Sequence, residues 1–219
     1  MNELYRLATG PLLWASFAVF VGGSLFRLLE LFLLARRRER FLFTYLSLRY
    51  SLRSIGHWIV PFATVNWRRH PVLTIVTFAF HLSLLITPVF LLAHVVLWDE
   101  AWNVSWPALP DAWAIVLSLI VIGGCVFFFV RRRVTPEVAY VTSASDYVIL
   151  GLTAAPFVTG VIAYYQWFDV QLFTLLHVVS GEALLVAVPF TRIRHMLFAP
   201  LTRAYMGSEF GAVRHARDW

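Results

Sequence analysis

Seven histidines are spread through a chain that is otherwise mostly apolar, at positions 57, 70, 81, 94, 177, 195 and 215. His177 and His195 stand at the two ends of one apolar stretch, HVVSGEALLVAVPFTRIRH, 18 residues apart. That spacing is about five whole turns, so a continuous helix would project both imidazoles from one face. It would also separate them by roughly 27 Å along the axis, near the thickness of a bilayer's hydrocarbon core. Polar groups at membrane depth are costly and mark function. Neutral imidazole is a standard axial ligand of haem iron. One helix with an imidazole near each leaflet could therefore serve two irons at two depths.

A second apolar stretch, residues 71–98, contains His81 and His94 and has His70 at its mouth. His70 and His81 are 11 residues apart, about three turns, and so share a face. His81 and His94 are 13 apart and fall off a common face in a straight helix. Pro88 lies between them, however, and a proline kink can reorient the second half. Two pairings with the first stretch agree in depth. One joins His81 to His177 and His70 to His195; the other joins His94 to His177 and His81 to His195. The shared face of His70 and His81 speaks for the first. His57 lies in a charged stretch where a headgroup or backbone partner would suffice, and His215 reads as a solvated residue.

The elements that must position these side chains are membrane helices. Of 219 residues 60% are hydrophobic and 14% charged, and the mean hydropathy is +0.73. A soluble domain is about half apolar and about a quarter charged, so a polytopic membrane protein is expected. The apolar runs place spans at about 11–34, 71–98, 112–130, 145–165 and 170–197. Residues 41–68 mix aromatics with Arg49, Arg53 and Arg68 around Pro61, and read as an interfacial amphipathic segment. Residues 198–219 read as a tail. All 18 basic residues are arginine. They cluster after the first, third and fifth spans, whereas the loops after the second and fourth have none. That is the positive-inside pattern rather than a nucleic-acid footprint, and it puts the N-terminus outside and the C-terminus in the cytoplasm. The fold class expected is therefore an all-α membrane protein, a bundle of five transmembrane helices forming one domain. The single cysteine, Cys125, excludes a disulfide, a cysteine-ligated cluster or a covalent c-type haem within the chain.

With these features the chain resembles the membrane cytochrome b subunit of respiratory nitrate reductase, the gamma-subunit family. It is more similar still to the related subunits of sulfate reducers' transmembrane redox complexes and of heterodisulfide reductase. The matching residues are His70, His81 and Thr87-Pro88 in the second helix, with His177 and His195 at the family's spacing in the fifth. The resemblance implies two b-type haems, each held by two histidines. Carried over, His70 and His195 would hold the inner haem and His81 and His177 the outer one. The chain departs from that pattern in two places. His70 and His81 are one residue further apart, and His94 is an alternative to His70. The resemblance further implies exchange of electrons with quinone, such as menaquinone, in a bacterial or archaeal cell membrane. A cytoplasmic iron–sulfur subunit and a periplasmic multihaem cytochrome c are the implied partners.

Other polar residues have competing readings. Arg27 could meet a haem propionate or simply pair with Glu30, three residues on. Glu182, a carboxylate at membrane depth, suits a quinone site or a histidine partner. Asp146 with Tyr147 is either a helix-start acid or part of a quinone pocket. Gly123-Gly124 and the Gly151 and Gly160 positions suit close helix approach. Two rival functions remain: a proton conductor or transporter using the histidines and Glu182 as a relay, and a haem-free anchor for redox subunits.

Overall fold

The computed structural model describes residues 2–219, and among these it contains helices and no strand. Five helices are long and apolar enough to cross a membrane: Glu3–Arg38, Pro71–Phe90, Asp111–Val134, Ala144–Tyr165 and Val170–Phe190. The chain is therefore an all-α, multi-pass membrane protein. At most 28% of the most apolar window of each span is buried by the protein itself. Lipid must cover the rest, which is the environment in which apolar helices are stable with their backbones internally satisfied.

The first run joins α1 (Asn2–Leu7) to α2 (Leu13–Arg38) through a π turn at Ala8–Leu12. It begins earlier than expected because Pro11, which cannot donate a backbone hydrogen bond, is absorbed by that wider turn. Residues 36–38 then place three arginines at the negative end of the helix dipole. Three short helices follow: α3 (Leu42–Tyr45), α4 (Leu48–Ile59) and α5 (Val65–Arg69). None is long enough to span, as the interfacial reading required.

The second span is where expectation and structure part. Instead of one kinked helix to residue 98, α6 (Pro71–Phe90) stops and α7 (Leu92–Trp102) restarts. Leu91 between them is extended, with φ −66° and ψ 128°. Pro88 removes an internal hydrogen bond, and the helix breaks one turn later. The third and fourth spans are α8 (Asp111–Val134) and α10 (Ala144–Tyr165), joined through α9 (Pro136–Tyr140).

The fifth span, α11 (Val170–Phe190), also ends directly after a proline, Pro189. Thr191 is extended and caps a 3-10 turn, Arg192–Arg194, its Oγ1 accepting from the Ile193 N–H at 3.3 Å. A new helix, α12 (His195–Ser208), then begins, followed by a π turn at Glu209–Val213. The expectation of one helix over 170–197 is thus corrected, and the whole-turn argument linking His177 to His195 fails at Thr191. Most of the segment after residue 198, read as a tail, is helical.

The chain packs as two compact units. One comprises the residues up to Gly10 with Ile75–Gly181. Its core is Phe80, Val121, Cys125 and Phe157, and Gly124 allows α6 against α8, since a Cβ there would stand 2.7 Å from the Phe80 ring. The other comprises Pro11–Thr74 and Glu182–Trp219, with α4 packed along α12 and α2 touching the end of α11. There a Cβ at Gly23 would meet the Pro189 side chain at 2.9 Å.

Candidate functional site

The break at Leu91 frees carbonyls at membrane depth, where an unsatisfied polar group costs several kcal/mol. Three successive ones find donors from outside the helix. Pro88 O accepts from His94 Nδ1–H at 2.8 Å, Val89 O from Trp106 Nε1–H at 2.9 Å, and Phe90 O from the Leu109 N–H at 2.8 Å. The proline that breaks the helix therefore also supplies the oxygen that orients His94.

His177 is held in a matching way from the opposite side. Its Nδ1–H donates to Pro156 O at 2.7 Å, a carbonyl inside α10. Gly160 makes room for the ring: a Cβ there would stand 2.9 Å from Nδ1 and 3.1 Å from Cε1. Ser180 Oγ donates to His177 O at 3.0 Å. The His94 and His177 rings face each other with centroids 5.9 Å apart and planes 17° from parallel.

A carbonyl oxygen only accepts, so in the neutral form of each ring Nδ1 carries the proton and Nε2 keeps its lone pair. A carbonyl that takes the proton of the other ring nitrogen is what orients a metal-ligating histidine. An imidazole ligates through the lone pair of its unprotonated nitrogen, here Nε2 on both rings. Among the described residues no three His, Cys, Asp or Glu side chains gather to hold a metal ion. A porphyrin-bound iron needs only two axial side chains from the protein. The donor set and the glycine cradle at 160 fit a bis-histidine haem.

The other expected residues are placed as follows. His81 lies within α6, half-buried, its Nδ1–H donating to Thr77 O at 2.8 Å. His195 opens α12, exposed, with Nδ1–H to Arg192 O at 2.9 Å. His70 is exposed at the junction of α5 and α6, and its carbonyl accepts the Thr74 hydroxyl at 2.9 Å. Arg27 forms the Glu30 pair at 2.6 Å and also donates to Pro189 O at 3.3 Å. Asp146 completes a capping box with Ser143, accepting from its N–H and its hydroxyl, each at 2.8 Å. The Tyr147 ring packs on Phe129 at 5.5 Å and under the Arg133 guanidinium at 5.2 Å. Glu182 is 4% exposed, and among the described residues neither carboxyl oxygen has a hydrogen-bond partner.

Sequence reasoning named His94 and His177 but did not anticipate Pro156 O, Trp106 or the Gly160 cradle. Gly160 was legible only as a close-approach position, and the identity of its visitor needed the fold.

These features define a multi-pass, all-α membrane protein with paired, carbonyl-oriented histidines between broken helices. The chain belongs to one family with a protein of Nitratidesulfovibrio vulgaris (strain Hildenborough) described only as "Protein". The two are 35% identical over 215 residues, covering 96% of this chain and 95% of that one. No protein-family model matches the chain.

Proposed function

We infer that this protein is a dihaem b-type membrane cytochrome, a subunit that moves electrons between the membrane quinone pool and redox partner subunits. The observation that carries the reading is the neighbouring pair His94 and His177, with both Nδ1–H groups committed to carbonyls so that each ring keeps its Nε2 lone pair for a metal. These two residues would hold one haem b, which when bound supplies reversible one-electron transfer. Pro88 O and Pro156 O fix the ring planes and the tautomer, and they raise the basicity of each Nε2. Gly160 lets the His177 ring lie against the α10 backbone.

Of the two pairings open from sequence, the one that joins His94 to His177 assigns His81 and His195 to the other haem and leaves His70 without an iron. His81 and His195 each commit Nδ1–H to a carbonyl of the preceding turn, at 2.8 and 2.9 Å, as a haem-ligating histidine would. Glu182 is the candidate proton acceptor for menaquinol, whose oxidation releases two protons with two electrons. Its buried, unpartnered carboxyl supports this role. Asp146 and Tyr147 are engaged in a helix cap and an edge-to-face ring contact, which favours their structural role.

The arginine clusters support a cytoplasmic C-terminus in a bacterial or archaeal cell membrane. A cytoplasmic iron–sulfur subunit would dock on that side and a multihaem cytochrome c on the tryptophan-rich outer loop. The test is a reduced-minus-oxidised spectrum with haem quantification of the purified protein. Two haem b per chain are expected. Protein without b-type absorption would overturn the reading in favour of a proton relay or a plain anchor.

A further inference from the structure

Helix α4 has three faces, one exposed and two covered by other parts of the chain. Leu48, Leu52 and Ile59 recur at helical spacing on one face and are 75%, 60% and 66% exposed. A second face is buried against α12. Ser51 Oγ donates to Ala204 O at 3.1 Å and bonds Ser208 Oγ at 3.0 Å. Gly207 is required for this close approach, since a Cβ there would collide with Ser54 and stand 2.6 Å from Tyr50 O. The third face carries Arg49, Arg53 and His57, four residues apart in turn.

The last residues of the sequence fold back onto this third face. Asp218 accepts from Arg203 at 2.8 Å and from the Ser54 hydroxyl at 2.5 Å. Trp219 stacks on His57, with ring centres 4.0 Å apart. The Arg53 guanidinium lies between two rings, 4.6 Å from Trp219 and 4.8 Å from Tyr50. A cleft of about 230 Å³ opens beside it, lined by Tyr50, Arg53, Gly211, His215, Ala216 and Arg217.

No carboxylate lines this cleft. The nearby acids are committed elsewhere: Asp218 to Arg203 and Ser54, and Glu209 to Arg214. Among the described residues neither Arg53 nor Arg217 has an ion pair. Arg53 Nε is buried and has no hydrogen-bond partner among the described residues. A buried donor of this kind normally has an acceptor, and a guanidinium fork matches the oxygens of a phosphate.

We propose that this cleft binds a phosphate group, with Arg53 and Arg217 as its principal donors and His215 at its edge. The source is a lipid headgroup or a free phosphate. The exposed apolar face of the same helix belongs at the acyl boundary of a membrane, which brings headgroups to the level of Arg53. The site is independent of the haem reading.

The test uses the delipidated full-length protein in neutral detergent. Binding of short-chain phosphatidylglycerol is followed by native mass spectrometry, and binding of inorganic phosphate by calorimetry. The wild type is expected to bind, and loss of one guanidinium in Arg217→Gln or Arg53→Gln should weaken binding about tenfold or more. Arg36→Gln, removing an arginine of α2 outside the cleft, should bind as the wild type. Arg217 is exposed, so its variant decides the matter if Arg53→Gln fails to fold. Phosphatidylglycerol binding more tightly than phosphate assigns the site to a headgroup; equal affinities assign it to free phosphate, and both uphold it. No binding of either probe, wild-type affinity in Arg217→Gln, or equal weakening by Arg36→Gln would overturn it.

Discussion

Replacing Gly160 by alanine sets two effects of opposite sign against each other. In a helix interior, alanine is favoured over glycine by about 1 kcal/mol. The new Cβ, however, would stand 2.9 Å from His177 Nδ1 and 3.1 Å from Cε1. Ordinary contact begins at about 3.5 Å, so the ring must retreat by roughly half an ångström. That movement stretches or tilts the 2.7 Å bond to Pro156 O. Overpacking costs about 1–3 kcal/mol, and the weakened hydrogen bond adds about 1 kcal/mol. The sum is a net destabilisation of roughly 1–3 kcal/mol. Disturbing an orienting partner also lowers metal affinity by about 10- to 100-fold. Haem should therefore be lost from the His94–His177 pair under limiting haem, as read by pyridine haemochrome quantification and the thermal midpoint. Gly151→Ala is the control, because nothing lies within 4 Å of a Cβ there. A Gly160→Ala protein with full haem content and the thermal stability of Gly151→Ala would refute the cradle.

Four further outcomes follow. Alanine at His94 or at His177 should remove the same one of the two haems, whereas His70→Ala should retain both; haem counts and the position of the remaining absorption band check this. Trp106→Phe leaves Val89 O without its donor and should cost about 1–3 kcal/mol of stability in a thermal melt; an unchanged midpoint would contradict the account of the break at Leu91. Glu182→Gln keeps the shape but cannot take up a proton, so menaquinol oxidation should slow at least about tenfold with haem content unchanged; wild-type turnover would remove Glu182 from the quinone site. Glu209 is held below its ordinary value, first by the Arg214 hydrogen bond and then by that of Tyr205. A lowered folded pKa means its contribution is complete above the unfolded value and is lost as pH falls through the folded one. Protection of residues 209–219, taken against the intrinsic exchange rate at each pH, should hold down to the carboxylate range and fall below it; Glu209→Gln should lower it about a few-fold at neutral pH, and an unchanged variant would contradict this.

Much of the architecture could be read from the sequence because it depends on runs and signs. The five spans follow from long apolar stretches, and residues 41–68 were separable because Arg49, Arg53 and Arg68 recur too often for a span. The breaks were less legible. Pro88 announced a kink, but whether the helix bends or stops depends on who takes the freed carbonyls. Those donors, Trp106 and Leu109, lie beyond the next helix. Pro189 hid inside an apolar stretch whose histidine spacing suggested continuity, and Thr191 ends it by capping the next turn. Residues 198–219 looked polar enough for a tail because the partners that fold them, Ser51, Ser54 and Tyr50, stand some 150 positions earlier. Among the site residues, the histidines were visible by type and depth. Their orientation was not, since Pro88 O and Pro156 O are backbone atoms without a sequence signature.

The most direct test of the central claim is the reduced-minus-oxidised difference spectrum of the purified protein, taken with haem quantification for the wild type, His94→Ala and His177→Ala. The account expects two haem b per chain in the wild type and one in each variant, with the same band missing from both. A wild type without b-type absorption, or variants that lose different bands, would contradict it.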